Sequence, residues 1–304
     1  MCSSDLGTLE EDTYRRDFTI NALYYCPITG KIEDHNKGLK HIHNKEIVSI
    51  GDPDLRFEED PVRSLRAIRF CTKLNFKISN NIKEAIYKKG HLLSSVSNAR
   101  LFDEFCKIFL NGMAEKNFNK LVSFGLNKYL VSTNLNGCEF SNQLIIEALR
   151  NTDNRIKNNQ SVTPGFLIAA LLWPQLIKKS LKGNEINLKK FFRSMDSILR
   201  NQQKITAIPR KFHTYIKDIW VLQLKLHSRI GRQPYKTLKH PRFRAAYDFL
   251  LIREKAAAKT KDLGFWWTEF QKNSEDLKKK LINDLKKNNL EESSKIFGFS
   301  KELR

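Results

Sequence analysis

Between Glu10 and Leu23 the chain reads Glu-Glu-Asp-Thr-Tyr-Arg-Arg-Asp-Phe-Thr-Ile-Asn-Ala-Leu. Arg15, Arg16, Asp17 and Asn21 bring two guanidinium forks, a carboxylate and an amide within one or two turns of each other. Such a set offers donors to a phosphate, an acceptor to a cation, and both to a sugar hydroxyl. The same residues read equally well as a solvated arginine–aspartate cluster at a helix start. A second string runs Leu-Arg-Phe-Glu-Glu-Asp-Pro-Val-Arg-Ser-Leu-Arg-Ala-Ile-Arg-Phe from Leu55 to Phe70. Asp60 and Arg63, three residues apart, fall on one face of a helix. A carboxylate can accept from the exocyclic amine of adenine while a guanidinium donates to a ring nitrogen, so the pair can read a base edge. In the competing reading Asp60 only caps the helix and Arg63 only pairs with it.

The elements that would position these groups change in kind along the chain. Thr13 to Tyr25 has helical spacing, and Lys31–Asp34 and Glu46–Ile50 read as short strands separated by Asn, Gly and Lys turn chemistry. From Asp60 onward the pattern is helical almost throughout, so the chain is expected to be mostly α after a small α/β piece. Asp60-Pro61 supplies a capping oxygen and a first-turn residue that needs no amide partner. Ala67, Phe70, Cys71 and Leu74 then form a stripe expected to face a core. Arg66 and Arg69 fall off it. Thr163-Pro164 opens another helix, and Phe166, Leu167, Ile168, Leu171 and Leu172 leave it no polar face, which predicts a central buried helix. Lys255 to Lys286 is dense in lysine, with Trp266, Trp267 and Phe270 embedded in it, and a boundary is placed near 255. No repeat of 20–50 residues is found, which excludes a solenoid.

With 304 residues, 40% of them hydrophobic and 11% aromatic, the chain can bury about two cores, which excludes disorder. Lys and Arg number 54 against 33 Asp and Glu, a formal charge of +21 that calls for a polyanionic partner, nucleic acid first. The longest apolar stretch, around Phe166 to Trp173, is about half what a membrane span needs. The first residues show neither a basic start nor an apolar core of a secretory signal, so a cytoplasmic location without a membrane is expected. Cys2, Cys26, Cys71, Cys106 and Cys138 are scattered, with no C-x-x-C pair, and are expected to be reduced packing residues.

Together the two strings resemble the class II nucleotidyltransferases, the superfamily of bacterial poly(A) polymerases and CCA-adding enzymes. Arg-Arg-Asp-Phe-Thr-Ile-Asn-Ala-Leu looks like that family's ribose- and metal-contacting motif, and Glu-Asp-Pro-Val-Arg-Ser-Leu-Arg-Ala-Ile-Arg-Phe like its base-recognition motif. Further along, Lys217–Leu224, His240–Leu250 and Trp266–Gln271 resemble body segments of the bacterial poly(A) polymerase I branch rather than the CCA-adding one. The resemblance implies Asp17 as a catalytic, metal-holding carboxylate, Arg15 and Arg16 as phosphate and ribose contacts, and Asn21 as a helper. It also implies Asp60 with Arg63 as base readers and Arg66 as a further nucleotide contact. Arg242, Arg244, Trp266 and Trp267 would form an RNA track, since aromatics stack bases and arginines hold phosphates. In the competing reading Trp220, Trp266 and Trp267 are core or helix-packing residues, which suits Trp220 better than the other two.

The implied fold is a helical neck, body and tail following a small incomplete α/β head: 1–55 the head remnant, 56–112 the neck, 113–255 the RNA-binding body and 256–304 a lysine-rich tail. The implied activity is template-independent transfer of AMP from ATP to RNA 3′ ends with Mg²⁺, leading to RNA decay and making the decay machinery a candidate partner. The rival readings are a CCA-adding enzyme and a non-catalytic RNA-binding fragment. In the family a Gly-rich turn and a D-x-D pair precede the Arg-Arg-Asp motif; here only sixteen residues precede Asp17, and none forms it, so the chain is expected to be a fragment without polymerising activity of its own. Asp52-Pro53-Asp54 is a formal D-x-D, but its proline and its place in a connecting loop argue for a turn. Glu10, Glu11 and Asp12 read as support for a helix start. Lys37 and His41 stand where the family tends to have a glycine and an aspartate, and Lys37 is expected to point outward. His35, His41 and His43 lack the spacing of a structural zinc site.

Overall fold

The computed structural model describes residues 8–132, 139–183, 185–256, 260 and 262–287. Cys2, Cys138 and the last part of the lysine-rich tail lie outside them. Chain contacts separate two compact units: the chain up to Phe109 with Lys116–Leu130, and Leu110–Glu115 with the chain from Val131 onward.

In the first unit α1 (Leu9–Arg15) leads through a 3₁₀ turn (Thr19–Asn21) to the antiparallel pair β1 (Tyr24–Tyr25) and β2 (Ile32–Glu33). Then follow α2 (Gly38–His43), β3 (Glu46–Ile47), α3 (Pro53–Glu59), α4 (Val62–Leu74), and β4 (Lys77–Ile78), which pairs parallel with β3. Helices α5 (Asn80–Lys89), α6 (Asn98–Phe109) and α7 (Ala114–Ser123) complete this stretch. The expected helix over Thr13–Tyr25 is corrected: α1 stops at Arg15, Arg16 is extended, and Phe18 bridges Ser49. Main-chain bonds to the β3 segment compete with the helix here: the Thr19 amide donates to the Val48 carbonyl at 3.0 Å and the Ile50 amide to the Asp17 carbonyl at 3.2 Å, with Phe18 and Ala22 enclosed beside them.

Helix α4 starts beside its expected residue, with Asp60 Oδ1 accepting from the Val62 amide at 3.2 Å. Ala67 and Cys71 of the expected stripe are buried, but the buried face continues through Val62, Leu65 and Ile68, while Leu74 is exposed. Phe70 leaves the expected stripe and lies edge-on to Phe18, beneath the guanidiniums of Arg66 and Arg69 at 5.4 and 4.6 Å. A cation–π roof keeps an aromatic ring half covered outside a core.

The second unit is built around α9 (Pro164–Ser180), which packs against α8 (Glu139–Lys157), α10 (Leu188–Gln203) and α11 (Arg210–Leu226). Thr163 caps α9 by accepting from the Phe166 amide at 3.3 Å, and Leu167 through Trp173 are all buried, as the apolar run predicts. A two-residue hairpin, β5 (Leu181–Lys182) with β6 (Glu185–Ile186), follows it. After α12 (Gln233–Leu238), α13 (Phe243–Lys255) packs on α8 and α11, α14 (Leu263–Lys272) on α13, and α15 (Glu275–Lys287) on α14. Trp220 is fully buried and donates its indole N–H to the Ala169 carbonyl at 2.9 Å. Cys26, Cys71 and Cys106 are free thiols. Among the described residues no helix is long and apolar enough to cross a membrane.

Candidate nucleotide-binding site

The first unit holds a cavity of about 410 Å³ whose lining includes Arg15, Arg16, Asp17, Asp60, Arg63 and Arg66. Two strings some forty residues apart in sequence therefore meet around one space. Local chemistry explains how. Thr8 and Glu11 close a capping box at the start of α1, fixing where the helix begins. Arg16 then turns back on its own helix, with Nε and Nη2 donating to Asp12 at 3.1 and 2.8 Å. Hydrogen bonds from Tyr24 and Arg16 hold the Asp12 carboxyl below the usual carboxylate range. From α3, Arg56 donates to the main-chain carbonyls of Arg15 and Arg16 at 3.0 and 2.7 Å, tying the end of α1 to the Leu55–Phe70 string.

Asp17 is 7% exposed and fully engaged: Oδ1 accepts from the Phe18 amide at 2.9 Å and Asn21 Nδ2 at 3.0 Å, and Oδ2 from Arg66 Nε at 2.5 Å. Asn21 is thus held beside the motif without being one of the cavity's lining residues. Asp60 and Arg63 do not pair with one another. Asp60 Oδ2 accepts from Arg100 Nη2 at 2.6 Å, and Arg63 Nη1 donates to Glu59 Oε2 at 3.0 Å and to the Arg56 carbonyl at 3.1 Å. Both residues line the cavity, and Asp60 also accepts from the Val62 amide at the start of α4.

The sequence reading missed Arg56, Arg100, Glu104 and Lys107. Glu104 carried a signal: it sits at helical spacing among Leu101, Phe105 and Ile108, and a carboxylate on an apolar face requires a cation. Lys107 supplies one at 2.8 Å, with Arg69 at 4.0 Å on the other side. Burial lowers the Arg69 guanidinium from its ordinary value, with Glu104 opposing the shift.

The Mg²⁺ pair implied by the family does not fit the residues described. Among them no group of three or more His, Cys, Asp or Glu side chains converges. Both oxygens of Asp17 face donors, one of them a guanidinium. Asp52-Pro53-Asp54 forms the start of α3, with Asp52 accepting from the Asp54 amide at 3.1 Å. His41 Nδ1 lies 2.9 Å from Thr19 Oγ1, and His35 stands near Glu33. Lys37 is exposed and points outward as expected, with a left-handed backbone (φ 57°).

In the second unit Arg242 and Arg244 are exposed at the start of α13. Trp266 and Trp267 require correction. They are 7% and 0% exposed, Trp267 donates to the Leu226 carbonyl at 2.9 Å, and both pack with Phe243, Tyr247 and Phe270. Rings enclosed in this way present no face to a base.

Three models of the polymerase A family match the chain: the poly A polymerase head domain at residues 2–48, the probable RNA and SrmB-binding site of polymerase A at 75–133, and the polymerase A arginine-rich C-terminus at 184–296. Poly(A) polymerase I of Salmonella typhi is 37% identical over 290 residues, which are 92% of this chain and 62% of that protein. The chain is thus similar to bacterial poly(A) polymerase I over most of its own length. It spans about three-fifths of the length of such a poly(A) polymerase I. The CCA-adding enzyme of Bacillus pumilus stands further off, at 28% identity over 267 residues, 84% of this chain and 65% of that enzyme. A solved tRNA-processing enzyme in an apo form shares the fold, with a TM-score of 0.62 at 20% identity over 91% of this chain and 76% of its own.

Proposed function

We propose that the chain is the nucleotide-selecting and RNA-holding part of a polynucleotide adenylyltransferase, which adds AMP from ATP to RNA 3′ ends without a template. The observation that carries this reading is the meeting of the Arg-Arg-Asp and Asp60/Arg63 strings around one cavity rich in guanidinium groups. Its lining holds Arg15, Arg16, Arg63, Arg66, Arg100 and Lys107 against Asp17, Asp60, Asp103 and Glu104, six cations to four carboxylates, an excess that suits a triphosphate. Arg15 and Arg16 hold the phosphates and ribose, while Asp60 and Arg63 select adenine. Asp17 orients Asn21 and Arg66; service as a metal ligand would require Arg66 to leave Oδ2. In the transfer the RNA 3′-hydroxyl oxygen bonds to the α-phosphorus, the bond from that phosphorus to the bridging oxygen breaks, and pyrophosphate departs. Such catalysis is largely positioning and charge neutralisation.

The roles divide along the chain: 1–55 belong to the head, 56–112 read the base, 113–255 hold RNA, and 256–304 form a basic tail. The same reading includes a cytoplasmic role in mRNA turnover. Poly(A) polymerase I matches 92% of this chain at 37% identity, whereas a CCA-adding enzyme that matches 84% of it does so at 28% and others reach 38–39% over 40% of it, a difference in extent that favours ATP alone over ATP with CTP.

The test is incorporation of labelled AMP on a generic RNA 3′ end with Mg²⁺, using this chain and the same chain fused to a head segment from a relative. Incorporation by the fusion alone is expected; none by either protein would refute the reading. CTP addition to a tRNA lacking its 3′ end would select the CCA-adding alternative. In the active fusion, Arg63→Ala should reduce the preference for ATP over CTP by about tenfold to a hundredfold, with RNA affinity unchanged. Equal losses in both would remove Arg63 from base selection.

A further inference from the structure

A second cavity, of about 220 Å³, lies within the second unit where α8, α9, α11 and α13 approach one another. Its rim carries three arginines and one carboxylate: Arg155, Arg242, Arg244 and Asp248. Asp248 holds two of the arginines in place, forming an ion pair with Arg244 Nε at 3.0 Å and accepting from Arg155 Nη1 at 3.5 Å. Arg155 Nε also donates to the Ser161 carbonyl at 3.1 Å. A guanidinium has five N–H donors, so each retains others for a phosphate. Arg242 lies over the Tyr215 ring, 4.9 Å from its centroid. Half-buried Asn151 also lines the cavity, and its enclosed Nδ2 has no hydrogen-bond partner among the described residues. A buried donor left unmade costs about 1–3 kcal/mol, which a ligand acceptor would recover.

We propose that this cavity takes one unpaired nucleotide of the RNA strand. Its base enters beside Tyr215 and Arg242 and accepts from Asn151, and its phosphate rests on Arg244 and Arg155. The size suits a single base: the cavity is smaller than the roughly 300–1,000 Å³ of sites for drug-sized ligands. The pairing of an aromatic ring with a guanidinium, bordered by phosphate-holding arginines, is the chemistry by which single strands are held without sequence readout. Stacking area favours a purine over a pyrimidine. A duplex, whose bases are already stacked and paired, has none to insert. The proposal deepens the RNA-holding role above and rests on that reading.

The test uses the chain as it stands and a fluorescent seven-nucleotide adenylate RNA, followed by anisotropy. Arg242→Ala should weaken binding about tenfold, the scale of one lost base stack. Asn151→Leu should weaken it less, and by a similar factor for adenylate and uridylate, since both bases carry acceptors. Arg244→Gln, at a side chain 73% exposed and so safe for folding, should weaken both RNAs equally. Unlabelled adenylate strand should compete, and the same strand annealed to its complement should not. Unchanged affinity in Arg242→Ala and Arg244→Gln, both with native circular dichroism, would overturn the proposal. So would equal competition by duplex, or by inorganic phosphate at the concentration of RNA phosphates, since either would mark a general anion surface. The two readings fail separately. An active head fusion with unaltered RNA binding in the variants removes the pocket and leaves the activity, whereas impaired binding with an inactive fusion does the reverse.

Discussion

Three carboxylates around the first cavity are each matched to a cation: Asp17 to Arg66, Asp60 to Arg100, and Glu104 to Lys107. Pairing of this kind fixes side-chain direction more than it adds stability, because desolvation offsets much of the attraction. The arginine and lysine heads are thereby aimed before any nucleotide arrives. A titrating residue lies in the other unit. Burial, together with Arg253 and Arg229, pushes the His227 imidazole down to about 3. The unfolded chain titrates near 6.5, so between those values it binds more protons than the folded one. His227 therefore contributes no penalty above about pH 6.5, and stability is lost progressively as pH falls from there toward 3. Urea denaturation at pH 7 and pH 5 should show the native protein losing about 1–2 kcal/mol more than His227→Gln. Equal losses would mean that the imidazole is freely protonated in the fold.

At the scale of elements, α2 controls the geometry of the motif beside it. A Cβ on Gly38 would stand 2.4 Å from the Thr19 carbonyl oxygen, a main-chain atom that cannot swing aside. Gly38→Ala should displace the 3₁₀ turn carrying Asn21, costing about 1–3 kcal/mol in urea denaturation and weakening nucleotide binding with it. A fully stable variant would show that the turn yields freely. Asp34 serves the same junction by accepting from the amides of Asn36, Gly38 and Leu39. The helix starts at Asp60 and Thr163 were legible in the sequence because capping is local chemistry. The course of Arg16 to Ala22 was not, since helical spacing there is overridden by the burial of Phe18 and its bridge to Ser49. Trp266 and Trp267 were misread for a related reason. Their lysine-rich surroundings suggested solvent, yet α14 turns its tryptophans inward while lysines such as Lys279 on α15 stay exposed. The site was half legible: motif residues announced themselves by type and spacing, whereas Arg56 and Arg100 act through contacts 40 residues away in sequence.

For the whole molecule, a formal charge of +21 sets the range of behaviour with polyanions. Binding of single-stranded RNA should weaken linearly on a log–log plot against salt, with a slope of about −0.7 per phosphate neutralised. Titrations between 50 and 200 mM salt measure it, and a flat response would mean that the excess charge does not face RNA. The division into units has a bearing of its own. The chain leaves the first unit after Phe109, contributes Leu110–Glu115 to the second, and returns from Lys116 to Leu130. In the first unit Phe118 packs on Phe109, and Asn117 donates to the Ile108 carbonyl. A ribosome must therefore release Leu130 before the first unit can finish folding, and six residues of the second are already made by then. Neither half is a cassette that evolution could exchange with a single crossover; recombination has to carry the segment around residues 110–130 as a piece of both.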